Sequence, residues 1–182
     1  MKIVKTLLND CVIIEPKVFG DSRGFFLETF QAERYAEIAN ITQPFVQDNH
    51  SRSGKGVLRG LHFQIKNPQG KLVRVVRGEV FDVAVDLRPD SSTFGQWEGV
   101  LLSEENKRQF WVPPGFAHGF CTLEPNTMVA YKVDAYYSPA DDRNLRWNDP
   151  AIGIEWPVAE ADAIISGKDK AAPLLADLGR VF

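Results

Sequence analysis

From residue 57 to residue 133 the chain is a series of short apolar runs broken by turn-forming residues. The runs span 57–64, 72–87, 97–102, 108–112, 117–123 and 127–133. Arg88-Pro89-Asp90-Ser91-Ser92, Glu104-Glu105-Asn106-Lys107 and Glu124-Pro125-Asn126 separate the later ones. The run 72–87 exceeds one typical strand, so Gly78 is expected to mark a turn or bulge inside it. Short strands this closely spaced, with turn chemistry between them, argue for a mainly β chain built as an antiparallel sandwich or barrel.

The flanks read differently. Residues 1–19 are extended, with Pro16 excluding a helix, and Asp21-Ser22-Arg23-Gly24 is a turn. The spacing of Ala32, Tyr35, Ala36 and Ala39 predicts a helix over 31–39, ended before Pro44. Gln47-Asp48-Asn49-His50-Ser51 is read as a polar loop that continues into a flexible stretch at 53–56. Near the C-terminus, 159–165 and 174–178 are expected to form short helices around Ser166-Gly167-Lys168-Asp169. With 182 residues and neither repeat nor linker, one domain over 1–182 is the expectation. A net charge of −3 gives no general attraction to nucleic acid or to an anionic membrane. Cys11 and Cys121 are far apart and in apolar surroundings, which fits buried thiols in a reduced, cytoplasmic protein, with a single bridge between them as the alternative. The N-terminal residues show neither a signal-peptide pattern nor a membrane-spanning run.

Gly56-Val57-Leu58-Arg59-Gly60-Leu61-His62-Phe63-Gln64 is the run that points to chemistry. An arginine and a histidine inside an apolar strand need partners, because an unpaired buried polar group costs roughly 1–3 kcal/mol. On a regular strand Arg59 and His62 face opposite ways. They share a cavity only if the strand is bulged, and Gly60 between them makes a bulge inexpensive. The chain has three histidines, His50, His62 and His118. Pro114-Gly115-Phe116-Ala117-His118 has the shape of the second motif of metal-binding jelly rolls. The partner of His62 would be Gln64, however, a poor ligand, so no metal site is expected. Tyr131 shares a strand face with Val129 and Val133, and either face is apolar enough to be inward. A structural tyrosine and a catalytic one both fit. Lys71, Arg74 and Arg77 read as solvated strand charges or, with Arg23 and Arg59, as an anion-binding wall. Asp169 reads as a helix N-cap or as the carboxylate that orients a histidine base.

Taken together, the segments resemble the dTDP-4-dehydrorhamnose 3,5-epimerase family along nearly the whole chain. The resemblance is carried by Phe19-Gly20-Asp21-Ser22-Arg23-Gly24-Phe25-Phe26-Leu27-Glu28, Gln47-Asp48-Asn49-His50-Ser51, the run from Gly56 to Gln64, Val85-Asp86-Leu87-Arg88 and Ser92-Thr93-Phe94-Gly95. It continues through Pro114-Gly115-Phe116-Ala117-His118-Gly119-Phe120, Tyr131-Lys132, Tyr136-Tyr137-Ser138-Pro139, Arg146-Trp147-Asn148-Asp149-Pro150 and Trp156-Pro157. It implies a cupin-like jelly-roll antiparallel barrel with short flanking helices, a homodimer, no cofactor and no metal. The implied substrate is a dTDP-4-keto-6-deoxy sugar on the route to dTDP-rhamnose and cell-surface polysaccharide. By the same resemblance His62 is the base, Tyr131 the acid and Asp169 the carboxylate paired with the base. Arg23, Glu28, Gln47, Asn49, Arg59, Lys71, His118 and Lys168 stand at substrate-contacting positions. Tyr137 stacks on thymine, and Asp142 stands where many members have glutamate. The expected reaction inverts C3 and C5 of dTDP-4-dehydro-6-deoxy-D-glucose. The alternatives are a mono-epimerase acting at C3 or C5 only, a non-catalytic sugar-nucleotide-binding cupin, and a metal-dependent cupin enzyme.

Overall fold

The computed structural model describes residues 1–8 and 10–182. In chain order the elements are β1 (Lys2–Lys5), β2 (Val12–Glu15), β3 (Val18–Asp21), β4 (Gly24–Leu27), α1 (Ala32–Ala39), β5 (Gln47–Ser53), β6 (Val57–Gln64), β7 (Lys71–Arg77), β8 (Glu79–Asp86) and β9 (Trp97–Ser103). There follow β10 (Gln109–Val112), β11 (Phe116–Thr122), β12 (Thr127–Val133), β13 (Asp142–Asn144), β14 (Ile164–Ile165), α2 (Gly167–Lys170) and α3 (Leu175–Leu178). One sheet runs β1-β2-β10-β7-β12-β5 and a second runs β13-β6-β11-β8-β9, with β14 beside β6; β3 and β4 form a separate hairpin. The β14–β6 pairing is parallel, and the paths through both large sheets are antiparallel.

The main core lies between the two sheets. Val73, Val75, Phe110, Val112 and Val129 from the first meet Val80, Ala84, Val100, Leu102, Phe116 and Phe120 from the second. Full burial of side chains of this kind contributes about 1.5–3 kcal/mol each. The mainly β, antiparallel class expected from the sequence is the class found. Gly78 is the expected break, with φ 76° between β7 and β8.

Two expectations are corrected. Residues 47–51 are not a loop but most of β5, paired with β12 along its whole length. β5 alternates half-buried and exposed positions from Gln47 to Arg52. Its inward positions are polar, so the strand has no apolar signature. The stretch 159–165 is not a helix either. It holds a single 3₁₀ turn at Glu160–Asp162, and Ile164–Ile165 then pair with Val57 and Leu58. The β-branched isoleucines suit that free flank of β6. The helical turn comes later, as α2, capped by the Ser166 hydroxyl, which accepts from the Asp169 N–H at 3.1 Å.

β6 carries the bulge. His62 lies opposite His118 on β11 and Arg59 lies opposite Phe120, so Gly60 and Leu61 together face Gly119 alone. The Gly60–Leu61 peptide bond is cis, and Gly60 has φ 125°. A Cβ on Gly60 would stand 2.6 Å from Gly119 Cα and 2.9 Å from the His118 carbonyl oxygen. Gly60→Ala is therefore expected to destabilise the fold by about 2 kcal/mol or more, from left-handed backbone and steric overlap together. A lowered urea midpoint with an unchanged m-value is the expected reading, and Gly24→Ala, at a positive φ with open space around it, is the milder control.

Candidate active site

The bulge turns Arg59 and His62 into one cavity of about 290 Å³, which Lys71, His118, Tyr131, Tyr137, Asp142 and Lys168 also line, together with Ser51 and Gln69. His62 comes from the second sheet, while Lys71 on β7 and Tyr131 on β12 come from the first. The two walls therefore face each other across the space between the sheets. The inward parity of Tyr131, open in the sequence, is settled by its packing against the main core and its place on the cavity wall.

Asp169 stands behind His62. Its Oδ1 accepts from His62 Nε2 at 2.7 Å, and the carboxylate is almost fully buried. Burial by itself raises the Asp169 carboxyl. The hydrogen bond and charge of His62, with the Ser166 and Gly60 contacts, outweigh that and hold it below its ordinary value. An ionised Asp169 accepts, so Nε2 carries the proton, and in the neutral ring it is Nδ1 that keeps the lone pair. Asp169 is therefore not the helix cap. Ser166 is the cap, and Asp169 sits in the first turn of α2 with its side chain turned to β6. The local fold delivers it. Pairing of β14 with Val57 and Leu58 brings α2 over Gly60. The segment after α2 is held by Arg146, whose N–H donates to the Pro173 carbonyl at 2.8 Å and whose Nε donates to the Ala172 carbonyl at 2.7 Å.

His118 is engaged in the same fashion by a carboxylate that sequence reasoning missed. Its Nε2 lies 2.9 Å and 3.0 Å from the two oxygens of buried Asp82. The signal was present as a charged residue inside the apolar run 80–85. Burial raises the Asp82 carboxyl against the opposing charges of His118 and Lys71. Lys71 is 6 % exposed and donates to the Gln69 carbonyl at 3.3 Å. Burial pushes its ammonium down to about 8, opposed by Asp134, Asp142 and Asp82. The Tyr131 phenol is raised by burial, partly offset by Arg59, and so keeps its proton. At the mouth Asp142 accepts from the Tyr137 hydroxyl at 3.2 Å and pairs with Lys168. Arg59 donates to the Ser53 hydroxyl at 3.1 Å and 3.2 Å. Gln64, at the position a second metal ligand would take, spends its side chain on backbone groups of Asn67, Tyr136 and Ser138. Among the described residues no group of three or more His, Cys, Asp and Glu side chains is arranged to hold a metal ion.

The family model described as dTDP-4-dehydrorhamnose 3,5-epimerase matches residues 5–177. The chain belongs to this family. It is 57 % identical over 176 residues to the dTDP-4-dehydrorhamnose 3,5-epimerase of Salmonella typhimurium, covering 96 % of each chain. Among solved structures it is similar to dTDP-6-deoxy-D-glucose-3,5-epimerase from Legionella pneumophila in complex with dTDP-4-keto-L-rhamnose, with TM-score 0.94, 56 % identity, and 97 % and 94 % of the two chains covered. A 3'-monoepimerase from Streptomyces bikiniensis in complex with dTDP-quinovose shares the fold at TM-score 0.87 and 32 % identity, covering 94 % of this chain and 86 % of that one.

The epimerase-family positions read from the sequence do not all meet at this cavity. Gln47 and Asn49 lie beside it on β5. Gln47 donates to Asn49 Oδ1 at 2.9 Å and accepts from the Tyr137 N–H at 3.0 Å, while Asn49 lines a neighbouring cavity that also touches Tyr131. Arg23 and Glu28 are not among the lining residues. Arg23 is exposed at the turn of the β3–β4 hairpin and bonds to Asp21, and Glu28 pairs with Arg34. Arg74 and Arg77 leave the cavity to Lys71; Arg77 is exposed, and Arg74 lines the neighbouring cavity. His50 is exposed on β5 and also lines that neighbouring cavity.

Lys71 has a thermodynamic signature that can be measured. Its folded value lies below the ordinary lysine value, so between about 8 and 10.5 the unfolded chain binds more protons and stability rises with pH. Lys71→Met is expected to lose activity while gaining stability near neutral pH, by on the order of 3 kcal/mol at most. Urea titrations from pH 7 to pH 10 check this: the stability difference between variant and parent should shrink as pH rises.

Proposed function

We propose that the chain inverts C3 and C5 of dTDP-4-dehydro-6-deoxy-D-glucose to give dTDP-4-dehydro-L-rhamnose. The hydrogens on both carbons flanking the C4 ketone are acidic because the carbanion delocalises into an enolate. Inversion then needs a base on one face of the sugar, an acid on the other, and a positive group at the ketone oxygen. The observation that carries the reading is one cavity with the His62–Asp169 pair on one wall and Tyr131 on the facing sheet. His62 takes the proton at Nδ1, and Asp169 stabilises the imidazolium. General acid–base help of this kind contributes roughly 10²–10⁴ in rate. Tyr131 returns a proton from the opposite side. Lys71, its ammonium still charged at neutral pH, stabilises the enolate oxygen, an interaction whose loss typically costs on the order of 3 kcal/mol. Arg59 and Lys168 hold the diphosphate, and Tyr137 at the mouth receives the thymine ring. Close similarity to the Salmonella and Legionella 3,5-epimerases favours double inversion over the single inversion of the more distant 3'-monoepimerase.

Proton NMR of the reaction in deuterated water tests the assignment. His62→Ala should abolish deuterium uptake at C3 and C5, whereas unaltered exchange removes His62 as the base. Tyr131→Phe should keep part of the exchange and lose net inversion at C5, and normal inversion removes Tyr131 as the acid.

The working unit in this reading is a homodimer in the cytoplasm. A nucleotide-sugar substrate and two free, buried thiols are consistent with that compartment. The hairpin supports the dimer: Val18, Phe19, Phe25 and Phe26 are exposed on it, an unusual apolar surface for a lone chain. The same hairpin carries Arg23, and Glu28 follows it directly. A hairpin laid over the partner's cavity would add both residues to that site. Mixing inactive His62→Ala and inactive Arg23→Ala proteins after subunit exchange should restore up to about a quarter of the parent activity, since about half the dimers are then mixed and each of those has one wild-type site of two. No recovery in a confirmed mixed dimer contradicts the shared site.

A further inference from the structure

Asn144 ends β13 directly across from His62 in the register with β6. Its Nδ2 donates to Asp169 Oδ1 at 2.6 Å. That is the same oxygen that accepts from His62 Nε2. Asn144 is 7 % exposed, and its own Oδ1 is buried with no hydrogen-bond partner among the described residues. The amide cannot be turned round, because an ionised carboxylate has no proton to give and two oxygens would then face each other. The side chain thus leaves its carbonyl unpaired in the interior in order to aim an N–H at the carboxylate behind the base. Packing alone would be served better by a leucine of the same shape.

We propose that Asn144 is a positioning residue for the epimerase reaction. By sharing Asp169 Oδ1 with His62 it fixes the carboxylate and offsets part of its charge, so that less of that charge is left to favour the imidazolium over the neutral, proton-accepting ring. The inference rests on the reading of His62 as the base. The physical basis is that each donor on a carboxylate offsets part of its charge, and a less offset carboxylate favours the imidazolium more strongly. The other titratable groups around the ring are Arg59 on β6, Lys71 on β7, His118 on β11, Tyr131 on β12, Asp142 on β13 and Lys168 on α2. Among the described residues the Asp169 carboxylate itself bonds to His62, Asn144 and the Gly60 N–H, the last at 3.4 Å, and the Ser166 side chain also acts on it. Asn144 is thus the side chain that shares with His62 the one carboxylate oxygen, Oδ1, on which the base depends.

The test is Asn144→Leu in the full chain, read in two ways: the pH dependence of kcat/KM, and the titration of the His62 ring by ¹⁵N NMR. With three histidines in the chain, the His62 signal is identified by its loss in His62→Ala. The acid limb and the ring midpoint should both move to higher pH by about half a unit. That is about a threefold loss of kcat/KM on the acid side, with recovery above neutrality. Should the leucine variant not fold, Asn144→Ser is expected to give the same upward shift. An acid limb and a midpoint that stay in place or move down overturn the proposal, and so does a loss that is equal at every pH. If His62→Ala retains exchange at C3 and C5, the reading beneath fails; if that variant is dead and the limb in Asn144→Leu does not move, this proposal alone fails.

Discussion

Gly60 and Gly119 meet where no side chain fits. A Cβ on the first would overlap the Cα of the second, and a Cβ on the second would stand 2.7 Å from the Arg59 carbonyl oxygen. The close approach accommodates the extra residue in β6, and that residue reverses the alternation of the strand. Arg59 and His62 then look into the same space. The rest of the site is arranged around β6. β11 presents His118 across from His62, β13 presents Asn144 on the other side, and β14 brings α2 and Asp169 over the bulge.

Charge in the cavity is distributed in opposed pairs. Asp169 answers His62, Asp82 answers His118, and Asp142 answers Lys168 and the Tyr137 hydroxyl. Taking a charge out of water is costly unless it is paired and hydrogen-bonded, and each carboxylate here has such partners. Lys71 is the exception in kind. Its hydrogen bond goes to a backbone carbonyl, with Asp134, Asp142 and Asp82 acting at longer range. A buried ammonium held this way is poised for a negative charge that appears during reaction, which is where electrostatic stabilisation acts most strongly. The stability penalty and the catalytic role proposed for Lys71 therefore have one origin, the desolvation of a single lysine.

Much of this was legible in the sequence, for identifiable reasons. The strands from β6 to β12 announced themselves through apolar runs and turn residues, and the glycine between Arg59 and His62 announced the bulge. β5 did not, because its inward positions carry polar side chains such as Gln47, Asn49 and Ser51. A strand that faces a polar cavity lacks the alternation that marks one facing a core. The C-terminal stretch was misread because Ile164 and Ile165 take their conformation from the free flank of β6, not from local periodicity. Asp82 and Asn144 were missed as supports because their partners are distant in sequence and are brought near by sheet register alone. Arg23 and Glu28 carry the family pattern on a segment that does not reach the cavity of its own chain, and a single sequence does not show which copy of a site a segment serves.

In the proposed reaction the sugar ring is held between two walls, with the base on one face and the acid on the other. A crystal structure of the chain with dTDP-4-keto-L-rhamnose bound tests this most directly. The expected structure has C3 and C5 between the His62 ring and the Tyr131 hydroxyl, these two groups on opposite faces of the sugar, with the C4 oxygen within hydrogen-bond reach of Lys71. A sugar with His62 and Tyr131 on the same face, or with its ketone oxygen away from Lys71, would contradict it.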